Sequence, residues 1–218
     1  MTELGRFGRI ERIWPDSTVV CIAGGPSVIR EQCALVHDWR ERGGCRVIAI
    51  NDSYRLAPWA DALYFADARW YQWHKDGVDF QAFAGMKISI ENVGRPINDP
   101  SVIVLRDLSV VGGTMGRLST DPGGIYTARN SGYQAIGAAV LAGARRIVLL
   151  GYDMRALNGR NHWFGEHPVR FDADVYREWR FEYGLMAPNV FSEVIRPLLT
   201  DRQGWALFIG TPNGKNQF

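Results

Sequence analysis

The sequence has only three cysteines, Cys21, Cys33 and Cys45, and they lack the paired spacing of a metal knuckle. Cys21 lies in an apolar run where a small hydrophobe fits, so reduced, buried thiols are expected rather than disulfides or metal ligands. No stretch approaches the roughly 18 continuous apolar residues that a membrane span needs. Residues 1–15 carry charge throughout and hold no apolar run of the kind a leader requires. A cytoplasmic protein without a membrane partner is the expectation. A dominant charge is also missing, because 25 basic and 23 acidic side chains are interspersed and leave a formal net charge of +2. No basic stripe therefore marks a nucleic-acid partner. Neither G-x-G-x-x-G nor G-x-x-x-x-G-K-[ST] occurs, which excludes the usual dinucleotide and NTPase phosphate loops. Internal repeats and low-complexity tracts are absent as well.

What is present is enough apolar material for one sizeable core: 218 residues, 46% hydrophobic and 12% aromatic. Residues 19–23 form a short β-branched run that ends at Gly24-Gly25-Pro26-Ser27, after which Val28, Cys33, Leu35 and Val36 recur at helical spacing. Gly43 and Gly44 stop that helix, and residues 46–50 supply a second strand closed by Asn51, Asp52 and Ser53. Strand, helix, strand in this order predicts a parallel βαβ unit. Residues 62–66, 87–90 and 101–105 read as further strands. Residues 109–130 are glycine-rich and aperiodic, a candidate loop over a site or a segment without a role. Ser131 is expected to cap a small-residue helix over 132–142, leading into a strand at 146–150. A helix is expected from about Ala173 to Leu185, a second over 190–199, and a strand over 205–209 that could join the sheet edge. The pattern predicts an α/β fold with a Rossmann-like, mostly parallel sheet flanked by helices in a single main domain.

Ligands of open parallel sheets bind outside the carboxyl ends of the strands, so polar residues after strands are the first candidates. Gly24 and Gly25 let backbone approach a phosphate or ribose, Pro26 shapes the turn, and Ser27 begins a helix whose free N–H groups favour an anion. A tight turn needed only for packing would look the same. Asn51 offers donor and acceptor to ribose or base, or stabilises a turn. Asp67 could contact a nucleotide or cap the helix that follows. Arg129, Asn130, Ser131 and Gly132 place a guanidinium and small polar groups at a helix N-terminus, an arrangement suited to phosphate. His162 and His167, in the aromatic segment 161–168, are candidate general bases. Tyr152 could donate to a leaving phosphate while Asp153 orients a neighbour. Asp172 and Asp174 imitate a short acidic metal motif, but acidic first turns of helices are common, and no metal site is assigned.

The ordered motifs Gly24-Gly25-Pro26-Ser27, Asn51, Asn130-Ser131-Gly132, Gly151-Tyr152-Asp153 and Glu166-His167 resemble those of single-domain bacterial sialyltransferases and of 6-hydroxymethylpterin diphosphokinase-like proteins, over residues 1–183. The resemblance implies a nucleotide-activated donor, a CMP-sugar among the choices, held by Ser27, Asn51, Asn130, Ser131 and Gly132. His167 would then be the base. Gly24 stands where the sialyltransferases have asparagine, and Glu166 precedes the histidine as an insertion, so His162 remains a candidate. The diphosphokinase alternative implies Mg²⁺, with Asp67 and Asp153 as its carboxylates. Residues 186–197 and 204–215 resemble part of a phage terminase ATPase. That resemblance implies a second segment over 184–218 and a phage or prophage source, with a non-catalytic accessory or packaging-related protein as the third alternative.

Overall fold

In the computed structural model the described residues are 7–92, 94–111, 118–127, 130–153, 158–165 and 207–210. The chain forms β1 (Thr18–Ile22), α1 (Arg30–Glu41), β2 (Arg46–Ile50), β3 (Ala62–Tyr64), α2 (Ala68–His74), α3 (Val78–Ala82), β4 (Met86–Ile90), β5 (Val102–Asp107), β6 (Gly124–Ile125), α4 (Ser131–Leu141), β7 (Arg146–Leu150) and β8 (Leu207–Gly210). Short 3-10 turns follow β2 and β5 at Asn51–Arg55 and Leu108–Val111. All neighbouring strands are parallel, in the order β6-β5-β4-β3-β2-β1-β7-β8. The expected α/β class with a Rossmann-like parallel sheet is the fold observed.

The strands are apolar at consecutive positions because both sheet faces are covered. Side chains alternate across a strand, and the two faces accordingly feed two cores. Val19 and Cys21 of β1 join Ile48, Ile50, Tyr64, Ile147 and Leu149 beneath α4. Val20 and Ile22 join Val47, Ala49, Leu63 and Phe65 beneath α1, α2 and α3, with Cys33, Trp70 and Phe80. Val19, Val20 and Ile22 of β1 are wholly buried, each contributing about 1.5–3 kcal/mol of apolar transfer. On α4, Ala135, Ala138 and Ala139 are small enough to let the helix lie close on the sheet. All three cysteines are free and buried.

Several expectations shift in detail. The helix expected to begin at Ser27 begins at Arg30, where the Gln32 side chain accepts from the Ile29 N–H. The cap of α4 is Asn130 rather than Ser131: Asn130 Oδ1 accepts from the Tyr133 N–H at 3.0 Å. Two elements escaped the sequence, α3 and the two-residue β6, both too short to show a period. The helices expected over 173–185 and 190–199 lie outside the described residues. β8 pairs with β7, Ile147 opposite Leu207, so this strand of the C-terminal segment belongs to the same sheet. Among the described residues no helix is long and apolar enough to cross a membrane.

Candidate active site at the strand ends

The direction in which strands are added to the sheet reverses at β1: β2 to β6 build outward on one side, while β7 attaches on the other. Such a switch point opens a crevice outside the carboxyl ends of its two strands. The turns after β1 and β7 meet there. Gly25 N–H donates to the Gly151 carbonyl at 2.9 Å, and Ser27 N–H donates to Asp153 Oδ2 at 2.9 Å.

Glycine is required at both contacts. A Cβ on Gly25 would lie 2.2 Å from Asp153 Oδ2 and 2.3 Å from the Gly151 oxygen. Gly151 has φ +75°, a region side chains disfavour, and its Cβ would meet Val28 Cγ2 at 2.3 Å. Close packing of two turns thus accounts for Gly25, and the Asp153 carboxylate occupies the N–H group that the sequence offered to an anion. A Cβ on Gly24, by contrast, would make only ordinary contacts, 3.4 Å to Phe164 and 3.6 Å to His162 Nδ1. His162 therefore stands beside Gly24.

Residues 162–164 of the aromatic segment lie against the strand ends. Trp163 N–H donates to the Gly24 carbonyl at 3.1 Å, and its indole Nε1 reaches Ser53 Oγ at 3.4 Å. His162 and Phe164 stack with ring centroids 4.9 Å apart and planes 5° apart. The sequence marked this segment for its histidines and missed Trp163, which ties the histidine to the ends of β1 and β2.

Two buried oxygens at these ends have no hydrogen-bond partner among the described residues: Ser27 Oγ and Asn51 Oδ1. Ser27 is 3% exposed. Asn51 adopts φ +49° as it opens the 3-10 turn after β2. That turn is anchored from beneath by Asp52, 1% exposed, which accepts from Trp70 Nε1 at 2.8 Å and faces Arg55 at 3.5 Å and His74 at 3.6 Å.

The remaining candidates divide. Tyr152 is buried, its hydroxyl donates to the Gly132 carbonyl at 3.0 Å, and its ring occupies the space a Cβ on Gly132 would need. Burial, reinforced by Cys21, holds the phenol well above its ordinary value of 10.0, so it is a neutral strut between β7 and α4. Asp67 caps α2, accepting from the Arg69 N–H at 2.8 Å, and pairs with the Arg69 guanidinium at 3.1 Å. It follows β3, three strands from Asp153 after β7, a separation of about 14 Å at the usual strand spacing. The two carboxylates offered to Mg²⁺ in the diphosphokinase alternative do not converge on one ion. Among the described residues no group of three or more His, Cys, Asp or Glu side chains gathers as a metal site. Arg129, His167, Asp172 and Asp174 lie outside the described residues, while Asn130, Ser131 and Gly132 form the start of α4.

No family model matches the sequence, and no curated protein does. The sialyltransferase, diphosphokinase and terminase resemblances therefore rest on their ordered motifs. A solved structure, that of the MAf glycosyltransferase from Magnetospirillum magneticum AMB-1, has a TM-score of 0.50 to this chain at 13% identity, over 97% of this chain and 36% of that one. The likeness is one of fold, and this chain spans little more than a third of that protein's length.

Proposed function

We propose that the protein is a transferase that uses a nucleotide-activated donor, with glycosyl transfer as its reaction. The carrying observation is a pair of buried oxygens without hydrogen-bond partners among the described residues, Ser27 Oγ and Asn51 Oδ1, at the ends of the adjacent strands β1 and β2. Each such group costs about 1–3 kcal/mol if left without a partner. A nucleotide relieves both costs, since the serine hydroxyl can donate to a phosphate oxygen and the amide oxygen can accept from a ribose hydroxyl. The fold shared with the MAf glycosyltransferase supports the same reaction class.

In this scheme His162, beside Gly24, removes the proton from an acceptor hydroxyl as that oxygen bonds to the donor's anomeric carbon. The bond from that carbon to the phosphate oxygen breaks, and the nucleotide departs with the electron pair. Arg129, Asn130 and Ser131 are assigned to the phosphates, and His167 is the second candidate for the base. A CMP-sugar is the donor that the sialyltransferase resemblance suggests.

A thermal-shift screen against cytidine, uridine, guanosine and adenosine mono-, di- and triphosphates, with and without Mg²⁺, tests the proposal, because ligand binding to the native state raises Tm. At least one nucleotide should stabilise the protein, and Ser27→Ala or Asn51→Ala should weaken it about tenfold, the equivalent of one hydrogen bond. His162→Gln should keep the nucleotide shift while turnover falls by about 10²–10⁴. No shift with any nucleotide overturns the transferase and leaves a non-catalytic protein.

A further inference from the structure

A cleft of about 360 Å³ opens after β3 and β4, lined by Asp67, Ala68, Arg69, Asn92, Gly94 and Arg95. It shares the carboxyl edge of the sheet with the crevice at β1 and β7. At ordinary strand spacing it lies about 10–14 Å from β1, with Asn51 after β2 between them. Its volume falls at the lower end of the roughly 300–1,000 Å³ typical of small-molecule sites, which suits a group of monosaccharide size.

The chemistry of the lining is mixed and specific. Asp67 fixes the Arg69 guanidinium through contacts at 3.3 and 3.1 Å, giving a locally neutral, oriented pair. Asn92, in the lining, spends its Nδ2 hydrogens on the carbonyls of Ala66 and Ile90, each at 2.9 Å, so the group its amide has left for a ligand is the acceptor Oδ1. Arg95 follows a left-handed bend at Gly94, φ +82°, and stands exposed at the rim. The balance is one net positive charge together with two acceptor groups, from Asp67 and Asn92. A bare anion would make no use of the acceptors, and a neutral polyol would make none of Arg95. A polyhydroxylated anion uses both.

We infer that this cleft binds an acidic sugar, a monosaccharide unit bearing a carboxylate or phosphate, with its hydroxyls on Asn92 and Asp67 and its anionic group on Arg95. Binding stands on the cleft alone; the identification of this sugar as the acceptor, reaching past Asn51 toward the donor, rests on the transferase reading.

Isothermal titration of the full chain with glucuronate, glucose 6-phosphate, glucose and inorganic phosphate tests the inference, with CMP titrated alongside. Glucuronate or glucose 6-phosphate should bind at least tenfold more tightly than glucose, and the stronger of the two identifies the anionic group. Inorganic phosphate should bind more weakly than glucose 6-phosphate. Arg95→Gln should weaken the preferred acid at least tenfold and Arg95→Glu further, and the exposed position of Arg95 makes both variants compatible with folding. Glucose matching the acids, phosphate matching its sugar ester, an unchanged affinity in Arg95→Gln, or no binding of either acid overturns the inference. CMP binding without acid binding removes the cleft alone, whereas acid binding with no response to CMP or to any nucleotide of the thermal-shift screen upholds the cleft and removes the transferase.

Discussion

Substituting alanine for Gly25 introduces a Cβ 2.2 Å from Asp153 Oδ2 and 2.3 Å from the Gly151 carbonyl oxygen. Comfortable separation of such atoms is about 3.5 Å, so one of the two turns must retreat by about 1 Å. Retreat stretches the Gly25 N–H bond to Gly151 and the Ser27 N–H bond to Asp153, both now 2.9 Å, beyond useful range. The neutral bond contributes about 0.5–1.5 kcal/mol and the charge-assisted one about 1.5–3, so the loss is about 2–4.5 kcal/mol. For a chain of this size, at about 2–4 °C per kcal/mol, Tm falls by about 4–18 °C. Gly24→Ala is the internal control: its Cβ contacts are 3.4 and 3.6 Å, and its expected cost, like that of most substitutions without a clash, is within about 0.5 kcal/mol. Circular dichroism melts of the two variants against the parent measure the difference. Equal melting temperatures for Gly25→Ala and Gly24→Ala would refute the claim that contact between the turns dictates glycine at residue 25.

Asp52→Ala should cost about 3 kcal/mol, the lower end for breaking a buried ion pair, because Arg55 is half exposed and Trp70 Nε1 loses its acceptor. A urea unfolding series reads this directly, and a change under about 1 kcal/mol would contradict the assigned role. Burial pushes the Cys21 thiol up to about 12 and those of Cys33 and Cys45 up to about 11, against an ordinary value of 9.0. The folded protein therefore holds protons that the unfolded chain releases. This contribution to stability is intact below pH 9 and is lost as pH rises through 11 to 12. Replacement of the three cysteines by alanine should flatten this alkaline fall in urea midpoint, and an equally steep fall in the variant would reject the thiols as its source.

The strands were legible because burial on both faces leaves a continuous apolar signature, and Arg46–Ile50 and Arg146–Leu150 begin and end where the sequence indicated. Helix starts were less legible. Polar caps are short-range signals, and neighbouring Asn130 and Ser131 are chemically interchangeable until backbone geometry gives the Tyr133 N–H to one of them. Of the cleft after β3 and β4 the sequence marked only Asp67, since Arg95 is an ordinary surface arginine until the bend at Gly94 brings it beside Asn92.

By itself the sequence determined the βαβ opening, the parallel α/β class, the buried thiols and the concentration of polar residues after strands. These follow from periodicity and composition, which act over a few neighbouring residues. Only the tertiary structure decided that β7 lies against β1. That adjacency gives the Ser27 N–H to a carboxylate 126 positions away, makes Tyr152 a strut and brings His162 to Gly24. It also leaves Ser27 Oγ and Asn51 Oδ1 buried without partners among the described residues. Strand order is set by many weak contacts between distant segments, and no local run of residues encodes their sum.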